Sequence, residues 1–91
     1  MKQAPADLSI IFYNKNYYQV DHTSKEKRPT GNWYEKPSAK TMYCHRVNRR
    51  MNEAGEVWFE RDEKLNAVIR INVRSEYLIW NDELYKWEKP Q

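Results

Sequence analysis

The chain has 91 residues, 16 Lys or Arg against 13 Asp or Glu, and a formal charge of +3. That length suits one domain, here read as residues 1–91, and leaves no room for a second. The single cysteine, Cys44, excludes an intrachain disulfide framework and any zinc site that needs two thiolates, and it points to a reducing, cytoplasmic setting. The only two glycines, Gly31 and Gly55, stand too far apart for a phosphate-binding loop or a dinucleotide fingerprint. No cofactor is called for.

No apolar run reaches the length of a membrane span, and the opening residues lack the apolar centre of a secretory signal. Leu, Ile, Val and Phe together number 16, which alone leans toward disorder. Four Trp and seven Tyr reverse that reading, because disordered segments are poor in rings and each ring buries a large area. The core is therefore expected to be largely aromatic. Charge is uneven: residues 22–50 carry eight Lys or Arg against two Glu, while residues 51–69 carry two against five acids. Such a field favours an anionic partner on one side of the molecule.

In chain order, residues 1–7 read as a loose tail. Leu8 to Tyr13, an Asn-rich turn at Asn14 to Asn16, and Tyr17 to Val20 read as a hairpin. Asp21 to Thr30 is polar without period and reads as a surface loop. Trp33 and Tyr34 follow, either anchoring that loop or standing exposed as a binding patch.

Residues 38–54 give the one helix expectation. Ser38 offers an N-cap, Gly55 a stop, and Tyr43, Val47, Met51 and Ala54 fall at helical spacing. The strand formers between Thr41 and Val47 argue the other way. A helix would gather His45, Arg46 and Arg49 on its outward face, with Arg50 at the flank.

Val57 and Phe59 then alternate with Glu56, Trp58 and Glu60 in a short strand, and Arg61 to Lys64 read as a charged turn. From Ala67 the alternation puts Ile69, Ile71 and Val73 on one face and Arg70, Asn72 and Arg74 on the other. A second hairpin runs from Tyr77 to Trp87 around Asn81 and Asp82, and residues 88–91 read as a short tail. The expected fold class is α+β: a curved antiparallel sheet of five or six strands with one helix packed on it.

For chemistry, His22, Cys44 and His45 are too few and too scattered to predict a metal site or a nucleophilic centre. A metal-free ribonuclease is the one enzyme reading with residue types to support it, from His22, His45, Glu60, Arg70 and Arg74. The favoured expectation is binding without catalysis. Cations at Arg46, Arg49, Arg50, Arg70 and Arg74, with Asn72 and the rings of Trp33 and Tyr34, are the parts that single-stranded nucleic acid needs. The alternative is a protein-binding inhibitor or adaptor, of the kind that phages and mobile elements encode, acting on an acidic host surface. Exposed hairpin edges also allow pairing with copies of the same chain.

Overall fold

The computed structural model describes residues 5–23, 25–27, 33–35, 41–65 and 67–90. Their architecture is nearly all β. The strands are β1 (Ile10–Tyr13), β2 (Asn16–Thr23), β3 (Lys25–Lys27), β4 (Trp33–Glu35), β5 (Thr41–Met51), β6 (Val57–Arg61), β7 (Ile69–Asn72), β8 (Leu78–Asn81) and β9 (Lys86–Glu88). Glu63–Leu65 forms a single 3-10 turn between β6 and β7. Seven strands make one antiparallel sheet in the order β6-β5-β2-β1-β8-β9, with β7 also paired to β5. β3 and β4 pair separately as a two-stranded ribbon.

This corrects the α+β expectation. There is no packed helix among the described residues, and the segment read as one is the long strand β5. The reason lies in how β5 is buried. Met42 and Cys44 point to one face and are fully buried, whereas Val47 points to the other face and is buried there. A strand that changes its buried face midway places apolar residues at mixed spacings, and Tyr43, Val47 and Met51 on its second face mimic a helical stripe. Two-sided pairing decides the outcome. β2 lies along one edge of β5, and β6 and β7 lie end to end along the other. Gly55 accordingly serves a hairpin rather than a helix end. At φ +84 it closes the β5–β6 loop, its N–H donating to the Asn52 carbonyl at 3.1 Å.

The surface loop expected over residues 21–30 is also corrected in part. Asp21 to Thr23 extend β2, and Lys25 to Lys27 form β3. Both predicted hairpins are present. Asn14 and Lys15 take φ +50 and +68, the double left-handed turn that matches strand twist. The second hairpin turns later than expected. Asn81 pairs with Lys86 as the last strand residue, its side-chain oxygen accepts the N–H groups of Glu83 and Leu84, and Tyr85 takes the positive φ. At the ends of the described chain, Pro5 is buried and Glu88 belongs to β9.

The two faces of the sheet carry different cores. One face holds Ile11, Tyr18, Val20, Met42, Cys44 and Ile71, completed by Val73 and Tyr77 from the β7–β8 connection. The connecting segment therefore passes across this face and seals it. The opposite face holds the rings of Phe12, Tyr17, Phe59, Trp80 and Trp87. In a flat sheet β6 and β9 would stand more than 20 Å apart, at about 4.8 Å per strand. Instead the Phe59 ring on β6 lies 6.0 Å from the Trp87 ring on β9. The sheet curls around these rings, and this face is concave. No helix among the described residues is long and apolar enough to cross a membrane.

Candidate nucleic-acid interface

The concave face is built by register. Tyr17 on β2 sits opposite Val47 on β5, and Arg49 sits opposite Phe59 on β6. Phe12 on β1 faces Tyr17, and Trp80 on β8 faces Trp87 on β9. All five rings and Arg49 thus project to one side. Tyr17 and Trp87 stack, with centroids 5.6 Å apart and planes at 22°. Trp80 and Trp87 meet at 5.1 Å, and Phe59 meets Tyr17 at 5.6 Å and Trp80 at 5.8 Å. None of these rings is fully buried, so each keeps surface that faces solvent.

Beside the rings lies a polar groove of about 440 Å³ lined by Lys15, Asn16, Tyr17, Arg46, Asn48 and Arg50, together with Val47 and Arg49. It exists because β5 outruns its neighbour. β2 pairing ends at Tyr17 opposite Val47, so among the described residues 48–51 are paired only on the β6 side. The other edge of this overhang pairs with no described strand and lies next to the β1–β2 turn that carries Lys15. Arg46 leans into the groove and donates to Asn16 Oδ1 at 2.8 Å. Arg50 is held by Glu60 at 3.3 Å. Glu60 also accepts the indole N–H of Trp58 at 2.9 Å, and these two donors hold its carboxyl below the usual range. Lys15 and Arg49 have no carboxylate partner among the described residues.

Further along the same face stands a second group. A bulge shifts the β2 register between Val20 and His22, which sets His22 opposite Tyr43, while Gln19 stays opposite His45. The His22 and Tyr43 rings stack at 4.7 Å and 20°. The Arg70 guanidinium lies over the other side of the pair, 5.9 Å from the Tyr43 centroid. His22 Nδ1 meets Asp21 Oδ2 at 2.8 Å, and a carboxylate only accepts, so Nδ1 carries the proton. His45 falls where β6 has ended and β7 has not begun. Arg61 Nη2 fills that gap, 2.8 Å from both ring nitrogens of His45. The His22 hydrogen bond, with the charges of His22, His45 and Arg61, holds the Asp21 carboxyl below its ordinary value. One carboxylate therefore senses both imidazoles and the guanidinium.

The predicted site residues divide. Arg46, Arg49 and Arg50 do line one groove, but not on one helix face: Arg46 and Arg50 project from one side of β5 and Arg49 from the other. Arg70 and Asn72 share the concave side with Tyr43 and Arg49. Arg74 lies beyond β7 in a turn where its N–H donates to Asn72 Oδ1 at 2.8 Å, so Asn72 shapes that turn. Trp33 and Tyr34 pair through their backbones with Lys27 and Glu26, and their side chains lie outside the described residues. Sequence reasoning missed Lys15, Tyr17, Phe59, Trp80 and Trp87 as surface, and missed the grouping of Tyr43 and Arg61 with the two histidines. The signal for these was the alternation of each strand, legible only once β5 is read as a strand.

Cys44 is buried, and burial pushes its thiol up to about 12, so it stays protonated and unreactive. No group of three or more His, Cys, Asp or Glu able to hold a metal occurs among the described residues. No protein-family model, curated protein or solved structure shows a significant match to the chain.

Proposed function

We propose that the protein binds single-stranded nucleic acid across the concave face and the groove beside it, in the cytoplasm. The observation that carries this reading is the juxtaposition of a cationic groove at the β5 overhang with half-exposed rings on the adjoining strands. Phosphates would follow Lys15, Arg46, Arg49 and Arg50, while bases stack on Tyr17, Trp80 and Trp87. Stacking on such rings contributes about 1–3 kcal/mol per base and tolerates any sequence. The curl of the sheet supports single strands over duplex, because the Phe59 and Trp87 rings meet 6.0 Å apart across it and leave no room for a double helix, while a single base can lie on the exposed part of a ring.

Titrating single-stranded RNA and DNA while following Trp fluorescence tests the reading. Quenching is expected to saturate and to weaken with salt, with a slope of about 0.7 per phosphate contact. Arg49→Ala should flatten that slope by about one contact. Absence of binding at low and physiological salt would pass this face to the protein-partner reading.

A further inference from the structure

We propose that the cavity beyond Phe12, where β1, β8 and the end of β9 meet, takes up a guanine base of the bound single strand. The inference rests on the nucleic-acid reading above and adds a base preference to it. The cavity measures about 470 Å³, within the roughly 300–1,000 Å³ of small-ligand sites. Register builds it. Phe12 on β1 sits opposite Leu78 on β8, and Lys89 follows Glu88, the β9 partner of Ile79, so that it comes beside Leu78. Pro90 adds apolar wall, while Asn14, Glu76 and Lys89 bring the polar groups.

Two features tie this cavity to the cationic groove at the β5 overhang. The β1–β2 turn stands between them, with Lys15 lining the groove and Asn14 lining the cavity. The Phe12 ring, one wall of the cavity, also lies 5.2 Å from the ring of Tyr17, which lines the groove. A strand whose phosphates follow the groove therefore has only to pass that turn to set a base in the cavity. Phe12 has surface to receive it. The residue is half-buried, and its ring neighbours Tyr17 and Trp87 are tilted at 44° and 51° rather than laid flat on it.

The polar groups choose the base. Glu76 and Lys89 have no ion-pair partner among the described residues, so both are available to a ligand. A carboxylate only accepts, and its two oxygens suit two parallel N–H donors side by side. Guanine offers that pair on its Watson–Crick edge, from the ring N1–H and the 2-amino group. Adenine and cytosine set a single amino group beside an acceptor nitrogen, and uracil sets its N–H between two carbonyls, so each would hold an acceptor against Glu76. Lys89 supplies a cation for the phosphate of the same nucleotide.

The test measures binding of the full chain to an all-uridine RNA, to the same RNA with one central guanosine, to a third with inosine at that place, and to guanosine monophosphate. The guanosine should tighten binding about tenfold over uridine, and inosine, which lacks the 2-amino group, should lose most of that gain. Glu76→Gln should bind the uridine and guanosine RNAs alike, because the amide turns one acceptor into a donor. Glu76 is exposed, so the variant should fold, and the inosine comparison needs no variant. Equal wild-type affinity for the uridine and guanosine RNAs would overturn the proposal and leave the binding reading standing. A guanosine preference kept in full by the inosine RNA or by Glu76→Gln would overturn it too, since another group would then read the base. Guanosine monophosphate bound as tightly as the guanosine RNA would also overturn it, marking a site for a free nucleotide. RNA bound in none of its forms would overturn both readings.

Discussion

The two faces of this sheet are built from the same strands yet serve opposite ends. Across one, Ile11, Val20, Met42 and Cys44 are sealed by Val73 and Tyr77, and among the described residues no charged side chain enters the cluster. Across the other, the rings of Tyr17, Phe59, Trp80 and Trp87 meet at 5–6 Å, and Arg49 stands opposite Phe59 on the same side. Among the described residues the sealed face takes Ile11, Val20, Ile71 and Val73, every fully buried Ile and Val except Val47. The concave face is closed only by curl, with rings wide enough to touch across it. Rings that keep solvent-facing surface are free to do a second job, and the cations beside them fit that job.

The largest expected effect lies on the sealed face. Ile71 is buried there, and Ile71→Ala should cost about 2–5 kcal/mol of stability in a urea unfolding curve. On the concave side Tyr17→Ala should destabilise less, because its ring is only half-buried, yet cost about 1–3 kcal/mol in affinity for single-stranded RNA. If Tyr17→Ala instead unfolds the protein as severely as Ile71→Ala, the two faces are equivalent cores and the comparison fails.

How much of this was legible depends on where burial stays on one side. β7 keeps Ile69 and Ile71 on the sealed face and Arg70 and Asn72 on the other, so its alternation read correctly. The β1–β2 turn was announced by Asn14, and the β6 alternation by Val57 and Phe59. β5 was not legible, because Met42 and Cys44 serve one face and Val47 the other. Since Arg46, Arg49 and Arg50 all ride on β5, the misread strand also misplaced the basic patch. The histidine pair depends on a bulge at Asp21 that no local pattern announces. Groupings made by register between distant strands are the part a single sequence hides.

Smaller effects sharpen the contrast. Cys44, protonated and buried, should react with a thiol reagent only at the rate of global unfolding, and Ile71→Ala should raise that rate while Arg49→Ala leaves it unchanged. The smallest expected effect is that of Asp21. Its carboxyl is held below the ordinary value of 3.8, so its contribution to folding is in place above that pH and fades as pH falls through the lowered folded value. Because the group is exposed, the effect is minor. Asp21→Asn should slightly flatten the acid limb of the stability curve, which thermal melts between about pH 2 and 5 would read.

The most direct test of the central claim is a salt-dependent titration of single-stranded RNA into wild type and Tyr17→Ala, followed by anisotropy of labelled RNA. Wild-type binding should saturate and weaken with salt, and Tyr17→Ala should lose affinity with the salt slope unchanged, because a ring stacks on bases and touches no phosphate. Equal affinity of the two proteins, or no binding by either at low salt, would contradict it.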